Sequence, residues 1–176
     1  AVMEKSLVQE HGSRWKGVAF ERVHAEHRAR VKAAQTDSLR DITIEEIVAE
    51  LAVAMNLSLT EQTIVISSEK ATEVSLAKAV PAGAAIIAEA QARGLRVLIV
   101  SDNYMPATQL VNMAQAAGYS WVTAADVLVS CEHGGFKHNG VLWQKVLEVV
   151  GVPAAQILHI GDDHEADDVQ PSKVGI

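Results

Sequence analysis

The first half of the chain places apolar residues three and four positions apart, a spacing that puts them on one face of a helix. The clearest case starts at Thr43, and its apolar positions are Ile44, Ile47, Val48, Leu51 and Met55. Thr43 and Glu46 predict a capping box at its start, in which each side chain satisfies a free amide of the first turn. The pattern therefore predicts an amphipathic helix that begins after Thr43.

Two further segments of this half have a weaker pattern. In Trp15–Ala34, many charged residues surround Val18, Val23 and Val31, which predicts a helix with one narrow buried face. Thr60–Lys78 is ambiguous, because a β-branched run favours a strand while the residues after it favour a helix. We interpret this segment as a helix.

Beyond Pro81, the pattern predicts helices and strands in alternation. Continuous apolar runs are typical of strands that are buried on both faces of a parallel sheet. The predicted strands are Val97–Val100, Val127–Ser130, Ile157–Ile160 and the start of another at Val174–Ile176. The predicted helices are Ala82–Arg93, Pro106–Ala117 and Val141–Val150. This order predicts an α/β fold with a doubly wound parallel sheet at 79–176, preceded by a helical region at 1–78.

The composition limits the classes of partner. The 176 residues carry a net charge of −7, and the Lys and Arg residues are scattered, so no basic surface for nucleic acid is expected. The single cysteine, Cys131, excludes an internal disulfide framework. No apolar run reaches membrane-spanning length, and the first residues lack a signal-peptide pattern. We expect a soluble cytoplasmic protein without a membrane partner.

Residues suited to phosphate chemistry follow the predicted strands. The carboxyl ends of parallel strands meet at one edge of a sheet, where functional groups collect. The hydroxyl of Ser101 and the backbone amide of Asp102 can donate hydrogen bonds to a phosphate oxygen. Lys137, in a Gly-Gly-Phe-Lys loop, supplies a positive charge that stabilises phosphoryl transfer.

An acidic cluster follows the third predicted strand. Asp162, with Asp163 or Asp167 behind it, offers the hard oxygen ligands that suit Mg²⁺. Taken alone, these acids also fit a solvated helix N-terminus, Ser101 a turn cap, and Lys137 a solvated loop. Their order after successive strands is what favours a phosphate site.

Three segments in this order resemble the second, third and fourth motifs of the haloacid dehalogenase superfamily of phosphohydrolases. They are Ser101 in VLIVSDNYM, Lys137 in GGFK, and Asp162 with Asp167 in HIGDDHEADD. The resemblance implies Ser101 and Lys137 as catalytic residues and Mg²⁺ as the cofactor. It also implies the following contacts: substrate at Ser101, Asp102 and Lys137, and metal at Asp162, Asp163 and Asp167.

Within that superfamily, the chain resembles predicted hydrolases found in or beside bacterial glycosyltransferase proteins. These have a helical cap with an Arg-x-x-Ala-Glu element, matched here by Arg22, Ala25 and Glu26. The resemblance implies that 1–78 forms a helical cap over the α/β core. It further implies a small phosphorylated metabolite, such as a sugar phosphate, as substrate, and a linked or neighbouring glycosyltransferase domain as partner.

The family's first motif, Asp-x-Asp, supplies the nucleophile and occurs nowhere in the 176 residues. We therefore expect a piece of a longer protein, with a core incomplete at both ends, that does not hydrolyse a phosphate ester by itself. The alternative is a non-catalytic binding or regulatory module attached to a glycosyltransferase. The order of the motifs excludes a response-regulator receiver, and the lack of Gly-x-Gly-x-x-Gly excludes nicotinamide binding.

Overall fold

The computed structural model describes residues 2–176 and is mostly helical. The helices are α1 (Val2–His11), α2 (Val18–Thr36), α3 (Ile44–Met55), α4 (Leu59–Leu76), α5 (Pro81–Ala92), α6 (Ala107–Ala116), α7 (Ser130–His133), α8 (Val141–Val150) and α9 (Gln170–Lys173). The strands are β1 (Ile99–Ser101) and β2 (Val127–Val129). Short 3₁₀ turns lie at Ser13–Trp15, Ala124–Asp126 and Ala154–Gln156, and a π-helical turn spans Glu165–Val169.

The helices of the first half follow from local signals. The predicted capping box of α3 is confirmed, because Thr43 Oγ1 accepts from the Glu46 amide and the Glu46 carboxylate accepts from the Thr43 amide. Ser58 and Glu61 form a second capping box at the start of α4. The helical interpretation of the ambiguous segment is therefore confirmed.

The buried face of α2 differs from the predicted one. Val18 is fully buried, but Val23 and Val31 are 67% and 48% exposed. The residues that face the core are Val18, Arg22, Ala25, Ala29 and Ala33. Small alanine side chains allow α3 to approach closely, so the two helices pack along an alanine face rather than a valine face.

Strands β1 and β2 form a two-stranded parallel sheet, with Ile99 opposite Val127 and Ser101 opposite Val129. A parallel pair needs a crossover connection, which α6 provides. Side chains alternate along β2, so Val127 and Val129 face one side and Leu128 faces the other. Helices cover both faces of this strand, as is usual for parallel sheets in α/β proteins.

The predicted strand at Ile157–Ile160 is absent, and so is the one at Val174–Ile176. Among the described residues, neither segment has a neighbouring strand that could pair with its backbone. Leu158 and Ile160 are accordingly 84% and 57% exposed, although Ile157 packs beside α8. An apolar run identifies a segment that could form a strand, whereas a ladder also requires a partner.

The main hydrophobic core joins the two regions on either side of residue 78. Its buried residues come from α1 to α4, from α6 and from β2. A smaller cluster on the opposite face of β2 contains Leu128, Leu142, Trp143 and Val146. Helix α5 stands apart, since none of its residues is buried.

Within residues 2–176, no single helix has both the length and the apolar character needed to cross a bilayer. The pair α4 and α5, bent by 82°, meets that criterion only when the two helices are taken together.

Candidate functional site

Three segments that are distant in sequence meet beyond the carboxyl ends of β1 and β2. Ser101 is the last residue of β1, and the carboxylate of the next residue, Asp102, accepts a hydrogen bond from the Lys137 amide at 2.7 Å. The Nζ of Lys137 in turn lies 2.5 Å from Oδ1 of Asp167. These two contacts bring the predicted hydroxyl loop, the lysine loop and the acidic segment together, and we refer to this region as the strand-end site.

Asp167 is the most heavily bonded carboxylate of the strand-end site. Its Oδ1 also lies 2.9 Å from His159 Nε2, and its Oδ2 accepts from the Asp163 amide at 3.2 Å. Burial opposes ionisation, but the hydrogen bonds from Lys137, His159 and Asp163 prevail and lower the pKa of Asp167 to about 2. The side chains of Lys137 and Asp167 are only 15% and 5% exposed, so this ion pair is largely shielded from water.

The loop that carries Lys137 is held by its own side chains. Gly134 ends α7 with a positive φ of 70°, a conformation that glycine adopts without a steric penalty. Oδ1 of Asn139 accepts from the amides of Phe136 and Val141, each at 3.1 Å. Its Nδ2 donates to the Leu39 carbonyl at 3.0 Å, which ties the loop to the segment between α2 and α3.

The backbone of the acidic segment is held by the close approach of Gly161 to Asp167 and by a hydrogen bond from Trp143. A Cβ at Gly161 would overlap the carboxyl group of Asp167, so only glycine fits there. Oδ1 of Asp163 accepts from the Ala166 amide at 2.8 Å and thereby starts the π-helical turn that presents Asp167. The indole of Trp143 donates to the Ala166 carbonyl at 3.0 Å.

The predicted site residues differ in whether their side chains already form hydrogen bonds within the protein. Asp102, Lys137 and Asp167 are linked directly, and Asp163 is linked through both its amide and its carboxylate. Ser101 is half-buried and Asp162 is exposed. Within residues 2–176, neither Ser101 nor Asp162 has a side-chain hydrogen bond, so both groups can accept a ligand.

Two histidines extend the site beyond the predicted residues. His159 contacts Asp167 and also packs against the Trp143 ring in a T-shaped arrangement, with the two ring centroids 4.5 Å apart. Nδ1 of His138 lies 3.6 Å from Oδ2 of Asp102. Sequence reasoning gave His159 no role, although its position two residues before the Gly-Asp step was the available signal.

The described residues contain no group of three His, Cys, Asp or Glu side chains already arranged around a cation position. Asp167 uses both carboxylate oxygens for protein contacts, which makes it a partner of Lys137 in this arrangement rather than an open ligand. Asp162 is open, and Asp163 has one oxygen beyond its bond to the Ala166 amide. Carboxylate oxygens are the donor type that Mg²⁺ prefers, and the ion retains several waters and needs few protein ligands.

Cys131 lies near the site but lacks the features of a nucleophile. Burial, followed by the nearby Glu132 and Asp41 carboxylates, raises the pKa of its thiol to about 12. The Sγ donates instead to the Met105 carbonyl at 3.4 Å. The thiol is therefore a partly buried, protonated group at neutral pH.

Two surface cavities, of about 460 and 700 Å³, border α1, and neither is lined by a strand-end residue. The strand-end site is thus defined by contacts between its side chains and not by an enclosed volume. No protein-family model and no curated protein sequence matches the chain.

Proposed function

We propose that this chain is a phosphate-binding α/β domain of the haloacid dehalogenase type, which handles a small phosphorylated metabolite such as a sugar phosphate. The observation that carries the proposal is the contact of Lys137 with both other segments, through its amide to Asp102 and through its Nζ to Asp167. The shielded ammonium of Lys137 and the hydroxyl of Ser101, which precedes Asp102 in the chain, are both groups that suit a phosphoryl group.

Each residue of the strand-end site has a distinct task in this proposal. The Ser101 hydroxyl and the Asp102 amide donate to phosphoryl oxygens, and Lys137 offsets their negative charge. Asp167 holds the Lys137 side chain in place through its Oδ1, and His159 contacts the same oxygen and so fixes the Asp167 carboxylate. A flexible lysine that is already oriented loses less entropy when the phosphate binds.

Mg²⁺ is the proposed cofactor, with Asp162 and Asp163 as the residues that would hold it. When bound, the ion would supply positive charge against the phosphoryl oxygens and the attacking group. Asp167, which the sequence motif also nominates as a ligand, serves in this proposal to orient Lys137 and the Asp163 amide.

Hydrolysis through an aspartyl-phosphate needs a carboxylate nucleophile, and the sequence has no Asp-x-Asp. We therefore propose phosphohydrolase activity only for a full-length parent that supplies this motif, and phosphate binding without turnover for the 176 residues. The second candidate is a non-catalytic binding or regulatory module attached to a glycosyltransferase, and a natural protein that begins without Asp-x-Asp would favour it.

The doubly wound sheet is the finer part of the fold proposal. It would place Ile157–Ile160 as a further parallel strand, so that the acidic segment follows a strand end as the other two segments do. Support comes from the helices on both faces of β2 and from the packing of Ile157 on the α8 side of that strand.

Calorimetric titration with inorganic phosphate, with and without Mg²⁺, tests the function. We expect saturable binding that Mg²⁺ strengthens and that Lys137→Met weakens by at least about tenfold, the scale of one charge-assisted contact. The matched control is Lys145→Met, because Lys145 pairs with Glu148 on the exposed face of α8. Equal phosphate affinity of the wild type and Lys137→Met would overturn the proposal.

Hydrolysis of a generic aryl phosphate separates the two candidates. The 176-residue chain should bind phosphate without turnover. Mg²⁺-dependent turnover by this chain would contradict the role assigned to the absent Asp-x-Asp. A full-length parent that carries the motif but also lacks turnover would favour the non-catalytic module.

A further inference from the structure

Helix α2 carries a row of charged residues four positions apart, Arg22, Glu26 and Arg30, which we call the α2 stripe. Glu26 bridges its neighbours, with one oxygen 3.0 Å from Arg22 Nη1 and the other 2.9 Å from Arg30 Nη2. Arg22 is only 7% exposed. Because an isolated charge is costly to bury, Arg22 requires a further partner, and the more exposed Arg30 has one as well.

The first branch runs from Arg30 to the loop after β1. Arg30 Nη1 lies 2.8 Å from Oδ1 of Asp41, whose side chain is 2% exposed. The other oxygen of Asp41 accepts from the hydroxyl of Ser130 at 2.6 Å. Ser130 is fully buried, and its Oγ accepts from the Asn103 amide at 2.8 Å. A continuous hydrogen-bonded path therefore joins α2 to Asn103.

The second branch runs from Arg22 to the next residue of the same loop. Arg22 binds Glu69 in α4 through two nitrogens, at 2.7 and 2.9 Å. Oε1 of Glu69 also accepts from the hydroxyl of Tyr104 at 2.9 Å, and the Arg22 guanidinium lies 4.9 Å from the centre of the Tyr104 ring. Burial and the Glu69 carboxylate raise the pKa of Tyr104, so its hydroxyl remains a donor.

Consecutive residues after β1 are thus fixed by different elements. Asp102 contacts the Lys137 amide, Asn103 contacts Ser130, and the Tyr104 carbonyl accepts from the Ile44 amide at 3.0 Å. Asp41 and Ser130 serve no purpose in the strand-end site itself, since neither is among the groups that would touch phosphate. Together they stabilise one conformation of the loop that begins with Ser101.

We propose that Asp41, Ser130 and Glu69 are positioning residues. Their hydrogen bonds connect the α2 stripe to the loop at 102–104 and thereby set the direction of the Ser101 hydroxyl and the Asp102 amide. This inference rests on the proposed phosphate site for its functional meaning. In this inference the helical region at 1–78 is a rigid support for the loop, because the two share a hydrophobic core and a buried hydrogen-bond network.

A buried charged network is weak evidence of stability, because well-packed apolar residues can replace one without loss. What it specifies is geometry, since each donor and acceptor has one arrangement in which all partners are satisfied. No buried side-chain polar atom of the described residues lacks a partner. The network is therefore complete enough to select a single loop conformation.

Amide hydrogen exchange tests the positioning directly. Ser130→Ala removes the acceptor of the Asn103 amide, so we expect that amide to exchange at least about tenfold faster relative to the buried helical amide of Val146. The matched control is Ser58→Ala, which removes a capping serine of α4 remote from the loop. The control should raise both rates together or neither.

Asp41→Asn provides a second variant in case Ser130→Ala folds poorly. The substituted amide has one acceptor oxygen where the carboxylate serves Arg30 and Ile42 with one oxygen and Ser130 with the other. The Ser130 hydroxyl then loses its fixed direction, so the same selective increase at Asn103 is expected. An unchanged ratio of the Asn103 and Val146 rates in the variants that fold would overturn the positioning role.

Titration with inorganic phosphate distinguishes this inference from the function on which it rests. If the function is right, Ser130→Ala and Asp41→Asn should bind phosphate at least about tenfold more weakly than Ser58→Ala at a temperature where all are folded. A wild type that binds no phosphate would refute the proposed function, while the exchange result would still decide the positioning role. Wild-type phosphate affinity with a mobile Asn103 would overturn the link between the two.

Discussion

The Nζ of Lys137 lies 2.5 Å from Oδ1 of Asp167, a residue thirty positions further along the chain. This contact closes the strand-end site, because Lys137 is also tied to Asp102 and Asp167 to His159 and Asp163. Lys137 and Asp167 thus form an ion pair that is largely shielded from water. The consequences for stability and for ligand binding can be measured separately.

The depressed pKa of Asp167 predicts a loss of stability in acid. A carboxyl with a folded pKa of about 2, against an ordinary 3.8, stabilises the fold above about pH 4 and loses that contribution as the pH falls towards 2. Asp167→Asn should therefore lower the unfolding free energy by about 1 to 2 kcal/mol near neutral pH and by less near pH 2.

Urea denaturation across this pH range measures the difference, with the exposed Asp168→Asn as a control for net charge. A gap between the wild type and Asp167→Asn that stays constant from neutral pH to pH 2 would contradict the assigned ion pair.

Substitution of Gly161 should act through Asp167. A Cβ at position 161 would overlap the Asp167 carboxyl group and force it away from Lys137, so Gly161→Ala should cost about 1 to 3 kcal/mol. Gly83→Ala is the matched control, because nothing lies within 4 Å of a Cβ there and its helix should gain up to about 1 kcal/mol. Equal effects of the two variants in urea denaturation would exclude the close approach.

Magnesium binding should depend on Asp162 more than on the exposed Asp168 of the same segment. Asp162 is exposed and has no partner among the described residues, so Asp162→Asn should weaken Mg²⁺ binding in the presence of phosphate by at least about tenfold. Asp168→Asn removes another exposed carboxylate of the same segment and should leave the affinity nearly unchanged. If the two variants give the same calorimetric titration, Asp162 is not a ligand.

The buried pair of Arg22 and Glu69 should matter far more than an exposed pair. Arg22→Met leaves Glu69 buried without its main cation, which should cost about 3 to 5 kcal/mol. Arg93→Met breaks the exposed pair with Glu89 and should cost less than about 1 kcal/mol. Chemical denaturation compares the two, and a small cost for Arg22→Met would mean that Glu69 finds another partner.

Helix α5 should contribute little to the stability of this chain. Ile86 is 45% exposed and Ile47 in α3 is fully buried, so Ile86→Ala should change the unfolding free energy by about 0.5 kcal/mol or less and Ile47→Ala by about 2 to 5 kcal/mol. Comparable costs for both substitutions would show that α5 packs against the core.

Features that depend on neighbouring residues were predictable from the sequence. The capping box of Thr43 and Glu46 acts across three positions, and the bounds of α8 match the apolar repeat of Val141–Val150. The two strands at 99–101 and 127–129 are short apolar runs flanked by turn residues. The helix signals act within a few positions of the chain, and the composition of each apolar run marks a possible strand, whereas the ladder itself joins β1 to the distant β2.

Features that depend on distant residues were not predictable in this way. The run Ile157–Ile160 has the composition of a strand, but pairing requires a second backbone. The four-residue spacing of Glu26 and Arg30 by itself indicates only a helix-face ion pair. In the structure Arg30 also binds Asp41, which accepts from Ser130, and Arg22 binds Glu69. Nothing within α2 reveals that Arg22 pairs with Glu69, 47 positions away, or that Asp41 pairs with Ser130, 89 positions away.

The same limit applies to the strand-end site. The motif order predicted that the segments containing Ser101, Lys137 and Asp162 would meet, and contacts of Asp102 and Asp167 with Lys137 bring those segments together. The sequence could not show that both carboxylate oxygens of Asp167 bond to protein groups while the exposed Asp162 carboxylate has no side-chain hydrogen bond among the described residues. Motifs indicate which groups are available, and their hydrogen bonds decide which can bind a ligand.

Chemical-shift mapping by NMR during a titration with inorganic phosphate and Mg²⁺ tests the central claim most directly. We expect the amides of Ser101, Asp102, Lys137 and Asp162 to shift together with one affinity, and Lys137→Met to abolish these shifts while Lys145→Met retains them. Shifts confined to a different surface, or unchanged by Lys137→Met, would contradict a phosphate site at the ends of β1 and β2.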